Sequence, residues 1–249
     1  GYTYKWDSVE NTLNLVDTKK DESILPSRYS YYDVGRLGKI KDQGIYGTCW
    51  AFASLTAVET SLMPEEKYDF SEDNMVWNSG YFGAQYDGGD YTRAISYLAS
   101  WRGPVLEEDD VYGDGINNPD AGVVKHVQEA QIIESKNLEA VKKAVFLYGG
   151  VESSLYTSMS YAGERSMYYN DKNYSYCYIG TKKPNHDVVI IGWDDNYSKD
   201  NFSVSLEGNG AFICVNSWGD SFGDDGLFYV SYYDSNIGIH NVVYTRVED

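Results

Sequence analysis

Apolar residues recur at three- and four-residue steps from Cys49 onward: Phe52, Leu55, Val58 and Leu62 form one stripe before Pro64. That period predicts a helix over Cys49–Met63, ended by a proline that cannot continue it. Ser71, followed by Glu72 and Asp73, predicts a second helix start, with the hydroxyl as cap and the acids in the first turn. A short helix is predicted from Ala94 to Trp101, closed by Gly103-Pro104. Another runs from Leu138 to Tyr148, with Leu138, Val141, Val145 and Leu147 apolar and Gly149-Gly150 as the stop. Residues 105–135 are mixed and acidic, and predict loop with one extended segment. From Val151 the signal changes to strand, in runs rich in Val, Ile, Phe and Tyr at Val188–Trp193, Ala211–Asn216, Leu227–Tyr233 and Asn241–Val247. Helices dominate the first half and strands the second, an α+β arrangement of two lobes. Residues 1–24 are polar and lack a period, and predict an N-terminal extension or a pro-segment remnant ahead of a domain at 25–249.

The first predicted helix begins on a cysteine. In Lys41-Asp42-Gln43-Gly44-Ile45-Tyr46-Gly47-Thr48-Cys49-Trp50-Ala51-Phe52 a glycine-broken loop turns into the helix at Cys49, with Gln43 six residues upstream. A thiol at a helix N-terminus feels the positive end of the macrodipole, which favours its thiolate. Asn185-His186-Asp187 stands at the mouth of one β-branched run, and Asn216-Ser217-Trp218-Gly219 at the end of another. A cysteine, a histidine and an amide are the nucleophile, base and orienter of covalent catalysis, if the fold brings them together. The alternative for Cys49 is a buried structural thiol, a common fate for a free cysteine, but a glycine two residues before it and a glutamine upstream suit an exposed catalytic one. His126 and His240 lie outside any such pattern and read as surface or packing residues.

With these residues in hand, the chain resembles the papain-like cysteine peptidases. Gln43, Cys49-Trp50-Ala51-Phe52, Asp87-Gly88-Gly89, Asn185-His186 and Asn216-Ser217-Trp218-Gly219 fall in that family's order, and the match runs from about Leu25 to about Tyr233. The stretch Gly192 to Phe202 is similar to secreted or surface-attached peptidases of anaerobic Gram-positive bacteria. The resemblance implies a helical lobe over about 40–120, a barrel-like antiparallel β lobe over about 121–249, and a cleft between them. It implies Cys49 as nucleophile, His186 as base in a thiolate/imidazolium pair, Asn216 as its orienter, Gln43 as oxyanion donor and Trp218 as a shield. Gly47, Gly88 and Gly89 are expected to let a peptide approach closely, with Gly89 pairing to the substrate backbone. The alternative for the glycine pair is an ordinary turn.

Three positions depart from the family pattern. Tyr46 stands where a cysteine is usual, so one disulfide near the site is gone. Phe222 replaces a second tryptophan on the leaving-group side. Asp187 replaces a small residue in the main specificity pocket, where it would favour a basic side chain unless it is merely solvated or capped.

Net charge is −18, which repels nucleic acid and anionic membranes and attracts basic substrates. No run of 18 apolar residues could span a membrane. Tyrosine occurs 25 times, a habit of extracellular proteins that also suits carbohydrate stacking. There are three cysteines, so a Cys177–Cys214 bridge is open beside Cys49, with no positive support. Asp194, Asp195, Asn196 and Asp200 lack the glycine and terminal glutamate of a calcium loop and read as solvated. No metal or organic cofactor is expected. The expected function is a secreted or cell-surface cysteine endopeptidase acting on peptides or proteins, with its own pro-segment as inhibitor. The alternatives are a silent protein of the same fold that binds peptide or glycan, and an exopeptidase whose cleft is blocked by residues 105–135.

Overall fold

The computed structural model describes residues 25–80 and 86–249, so the expected extension at 1–24 lies outside the described residues. Helix α1 (Cys49–Leu62) forms the middle of the molecule and is buried on every side, not only along the Phe52–Leu62 stripe. Two shorter helices, α2 (Glu72–Asn78) and α3 (Tyr91–Ala99), pack on one side of it, and a sheet packs on the other. Three of its buried polar residues are tolerated because they find partners on other elements. Ser54 donates to Glu152 at 2.7 Å, Glu59 meets Lys41 at 2.7 Å, and Thr60 accepts from the Gly150 N–H at 2.8 Å.

Short acceptor side chains cap three of the helices, one of them as predicted. Ser71 accepts from the Asn74 N–H and starts α2 as expected. Helix α3 begins three residues before the predicted Ala94, because Asp90 caps it through the Thr92 N–H, and it ends at Ala99. Helix α4 (Leu138–Leu147) is capped by Asn137.

Nine strands form one sheet among the described residues: β1 (Arg28–Ser30), β2 (His126–Ile133), β3 (Val151–Leu155), β4 (Tyr169–Asn170), β5 (Ser175–Tyr176), β6 (His186–Asp194), β7 (Ala211–Val215), β8 (Leu227–Ser231) and β9 (Ile239–Glu248). The order is β2-β9-β3-β6-β7-β8-β5-β4, with β1 paired to β6. All pairings are antiparallel except β5–β8, a parallel exception to the expected antiparallel lobe. The extended segment expected within 105–135 is β2, at the edge against β9.

Cys177 corrects its sequence surroundings. It sits in a tyrosine-rich polar stretch, yet it is fully buried with Phe202, Leu206 and Ala211. Cys214 is buried in β7, and both thiols are free, so the bridge left open by the sequence is not formed. The oxygen-rich loop after β6 is engaged by protein cations and hydroxyls: Asp195 takes Lys142 and Tyr232, each at 2.6 Å, and Asp194 faces Arg28.

Candidate active site

Strand register brings His186, Asn216 and Trp218 together. Val189 pairs with Val215 across β6 and β7, and the chain beyond β7 continues along the start of β6. The Asn216 Oδ1 lies 2.8 Å from His186 Nε2 and also accepts from the Ser217 N–H at 2.8 Å. A backbone N–H can only donate, so this Asn216 atom is the carbonyl oxygen. His186 therefore carries its proton on Nε2, and Nδ1 keeps its lone pair. The Trp218 indole covers the imidazole with ring centroids 4.9 Å apart and planes at 30°, and Phe222 meets its edge at 5.0 Å.

The loop before α1 is stitched to the same segment. Asp42 bridges to Trp218, the Gln43 N–H donates to the Ser217 carbonyl at 2.8 Å, and the Gly219 N–H donates to the Lys41 carbonyl at 2.9 Å. Gln43 is buried, and its amide is held at both ends. Oε1 accepts from the Ser217 hydroxyl at 2.6 Å, and Nε2 donates to the Tyr46 carbonyl at 2.8 Å, leaving one amide hydrogen free. Ser217 was named in the sequence only as part of a motif; its hold on Gln43 becomes visible in the fold.

Cys49, half-buried, stands at the first turn of α1 with its sulfur against the backbone N–H groups of Asp187 and Trp50. Those contacts put the sulfur beside the residue that follows His186. Burial pushes the Cys49 thiol up to about 12, and the carboxylates of Asp187 and Glu152 push the same way, while the two N–H groups pull it back. Burial likewise pushes the His186 imidazole down to about 4, against its Asn216 hydrogen bond. Packing thus favours the neutral thiol and imidazole at rest. The resting ion pair expected from sequence meets a desolvation penalty that the helix N-terminus has to offset.

Asp187 is buried rather than solvated. Its Oδ1 accepts from the Ser154 hydroxyl at 2.6 Å, in a cross-strand pair of β3 and β6. Ser154 and Glu152, two apart on β3, share one face of the sheet, and the Ser54 hydroxyl on α1 reaches Glu152. Burial raises Asp187 to about 6, with Ser154 opposing and Asp90 adding to the shift. Burial and then Asp187 hold Glu152 well above the carboxylate range. The exposed His240, read from sequence as a bystander, reaches the Ser154 hydroxyl through Nδ1 at 3.3 Å and lies on Tyr91, with ring centroids 5.5 Å apart. Its position on a bulged strand gives no signal in sequence.

The three glycines are accounted for first by packing. A side chain on Gly47 would meet Tyr86 O and Gly88 N at 3.0 Å, and one on Gly89 would meet the Trp50 indole at 2.6 Å. Gly88 takes a left-handed φ of 119° over open space. Asp42, Ile45, Tyr161 and Trp218 line a surface groove beside the site. Among the described residues no group of three or more His, Cys, Asp or Glu side chains is set to hold a metal ion.

A family model described as papain family cysteine protease matches residues 25–247. The chain belongs to the papain family. Among papain-family proteins, a cysteine protease of Blomia tropicalis is 27% identical over 237 residues, covering 88% of this chain and 65% of its own length. Falcipain-3 of Plasmodium falciparum is 27% identical over 232 residues, covering 90% of this chain and 44% of its own. The chain thus spans less than two thirds of these curated relatives. Among solved structures, the clostridial cysteine protease Cwp84 after propeptide cleavage superposes with a TM-score of 0.79 at 33% identity, covering 90% of this chain and 59% of that one. The cysteine protease and lectin-like domains of Cwp84, described as a surface layer associated protein of Clostridium difficile, give 0.79 at 30%, covering 100% and 61%. Procathepsin L2 of Tenebrio molitor, at 23% identity and 0.71, shares the fold. The two-lobed papain-like α+β architecture is therefore the fold of this chain.

Proposed function

We propose that this protein is a cysteine endopeptidase with Cys49 as nucleophile and His186 as base. The observation that carries the reading is the Cys49 sulfur lying against the Asp187 backbone, next to an imidazole whose Nε2 is tied to Asn216. The thiol proton passes to His186 Nδ1 as Sγ bonds to the scissile carbonyl carbon and the C=O π bond opens, leaving an imidazolium whose charge balances the oxyanion on the substrate. The free Gln43 amide hydrogen and the Cys49 N–H face the developing oxyanion. His186 then gives its proton to the leaving amine, and water, deprotonated by His186, releases the acyl-enzyme. Within residues 105–135, Leu106 pairs with Phe70, Asp110 accepts from Asn74, Tyr112 packs under the loop before Cys49 and β2 pairs with β9, and none of these residues lines the groove at Asp42, Ile45 and Trp218. That favours an endopeptidase over an exopeptidase with a blocked cleft. Likeness to Cwp84 supports a secreted or surface location and a pro-segment that restrains the enzyme until it is removed. No helix among the described residues is long and apolar enough to cross a membrane. The test is labelling with iodoacetamide under reducing conditions. Cys49 should be modified far faster than the buried Cys177 and Cys214; equal, slow labelling of all three would instead favour a silent peptide- or glycan-binding protein.

Asp187 is capped by Ser154 through Oδ1, and in this reading it supplies the substrate preference through its other carboxylate oxygen. An ionised carboxylate beside the sulfur opposes thiolate formation. A basic substrate side chain facing Asp187 would neutralise that charge as it binds, coupling recognition to activation. Asp187→Ala is expected to lower kcat/KM for lysine or arginine at that subsite by at least about tenfold relative to leucine. A wild-type cleavage profile with only large apolar residues there would rule the preference out.

A further inference from the structure

The loop that carries the oxyanion donor is exposed and has no covalent tie. Gly44 and Ile45 are open to solvent, with Ile45 93% exposed, and Tyr46 occupies the position where the family pattern has a cysteine. Three tyrosines gather there instead. Tyr46 lies on Tyr86 with ring centroids 4.6 Å apart, and Tyr112 meets both at 6.3 Å and Phe52 of α1 at 4.8 Å. Tyr86 is anchored on α2, donating to Asp73 and accepting from the Trp77 indole N–H at 3.1 Å. Its carbonyl accepts from the Gly47 N–H at 2.6 Å.

Tyr112 does more than fill space. Its hydroxyl lies 2.8 Å from the Gln43 carbonyl oxygen and 2.7 Å from Thr48 Oγ1. A carbonyl only accepts, so Tyr112 must donate to Gln43, and Thr48 must donate to Tyr112. One hydroxyl thus closes the loop, holding the residue with the free amide hydrogen and the residue before Cys49. The Gln43 carbonyl and side chain are fixed together: the N–H of the same residue is held by Ser217 O, and its Oε1 by Ser217 Oγ.

We propose that Tyr112 is a positioning residue for Gln43, and that the Tyr46–Tyr86–Tyr112 cluster braces the oxyanion loop without a disulfide. The inference rests on Gln43 being the oxyanion donor, as proposed above. A preorganised donor is worth its full effect only when its direction is fixed before the charge appears, so loosening its anchor should tell on kcat rather than on substrate affinity.

The experiment compares Tyr112→Phe, Gln43→Ala and the double variant in peptide hydrolysis and in iodoacetamide alkylation of Cys49. Alkylation displaces iodide at a saturated carbon and forms no oxyanion. Tyr112→Phe keeps the ring and its aromatic contacts. It is expected to lower kcat by about 10- to 100-fold with KM unchanged and the alkylation rate within about twofold. Gln43→Ala is expected to lower kcat by about 100- to 1,000-fold, and adding Tyr112→Phe to it should cost nothing more. If Gln43→Ala alone leaves kcat intact, the oxyanion reading fails. If Gln43→Ala is impaired but Tyr112→Phe is not, the positioning role fails. If Tyr112→Phe is equally harmful in both backgrounds, or slows alkylation as much as hydrolysis, Tyr112 is a general structural residue and the proposal is overturned.

Discussion

Cys49→Ala is expected to lower kcat for peptide hydrolysis by at least roughly 10,000-fold, with KM changed by less than about threefold. The substitution removes only the sulfur atom, at a half-buried site that starts a helix, and alanine is the best helix former. Substrate-binding surfaces and fold are left in place, so the loss falls on the chemical step. His186→Ala should lose nearly as much, and the double variant hardly more than either single one, because nucleophile and base act as a unit. Steady-state kinetics under reducing conditions, with thermal unfolding as a control for the fold, measures both. Residual hydrolysis above about one part in a hundred in Cys49→Ala would mean that another group attacks the peptide.

The pieces of this site were unequally legible in the sequence. Helix α1 was readable because its stripe has a helical period and Pro64 ends it, and the start of α2 because Ser71 is a short acceptor followed by acids. Strands β6 to β9 were readable as β-branched and aromatic runs. Strand β3 was not assigned an extent, because Val151-Glu152-Ser153-Ser154-Leu155 has a polar middle. It is a buried strand because each polar residue meets a partner supplied by a distant element: Ser54 for Glu152, Asn241 for Ser153 and Asp187 for Ser154. Partners of that kind have no local signature. Tyr112 was hidden for the same reason, as one aromatic residue in an acidic stretch whose hydroxyl finds residues 43 and 48 only after folding. Residue types forecast a thiol and an imidazole. The balance between helix N-terminus, burial and two nearby carboxyl groups depends on distances that spacing along the chain does not encode.

Lys41→Met is expected to destabilise the fold by about 3–5 kcal/mol, the largest effect on stability anticipated for a single exposed-to-sequence, buried-in-structure charge. Lys41 is 8% exposed, and its Nζ reaches Glu59 and Glu72 at 2.7 Å each, the Phe70 carbonyl at 3.0 Å and Asp69 at 3.1 Å. Burial opposes charge on Lys41 and on both of its buried partners, Glu59 and Glu72. It raises Glu59, and it pushes Glu72 up to about 8 against the pull of Lys41. Methionine fills the volume of the lysine stem but leaves two buried carboxyl groups facing each other with no cation between them. A carboxyl group whose folded pKa lies above its unfolded value stabilises the fold at low pH, and that contribution is lost as pH rises through the folded pKa. The deficit of Lys41→Met should therefore be larger at pH 8 than at pH 5, and adding Glu72→Gln should recover part of it. Urea unfolding at the two pH values, with the denaturant slope checked for constancy, reads both effects. The variant also tests how stability and catalysis are joined here, since Lys41 anchors the segment whose next residues are Asp42 and Gln43. A loss of less than about 1 kcal/mol, equal at both pH values, would show that the acids are neutral without the lysine and that the loop is held from the Ser217 side alone.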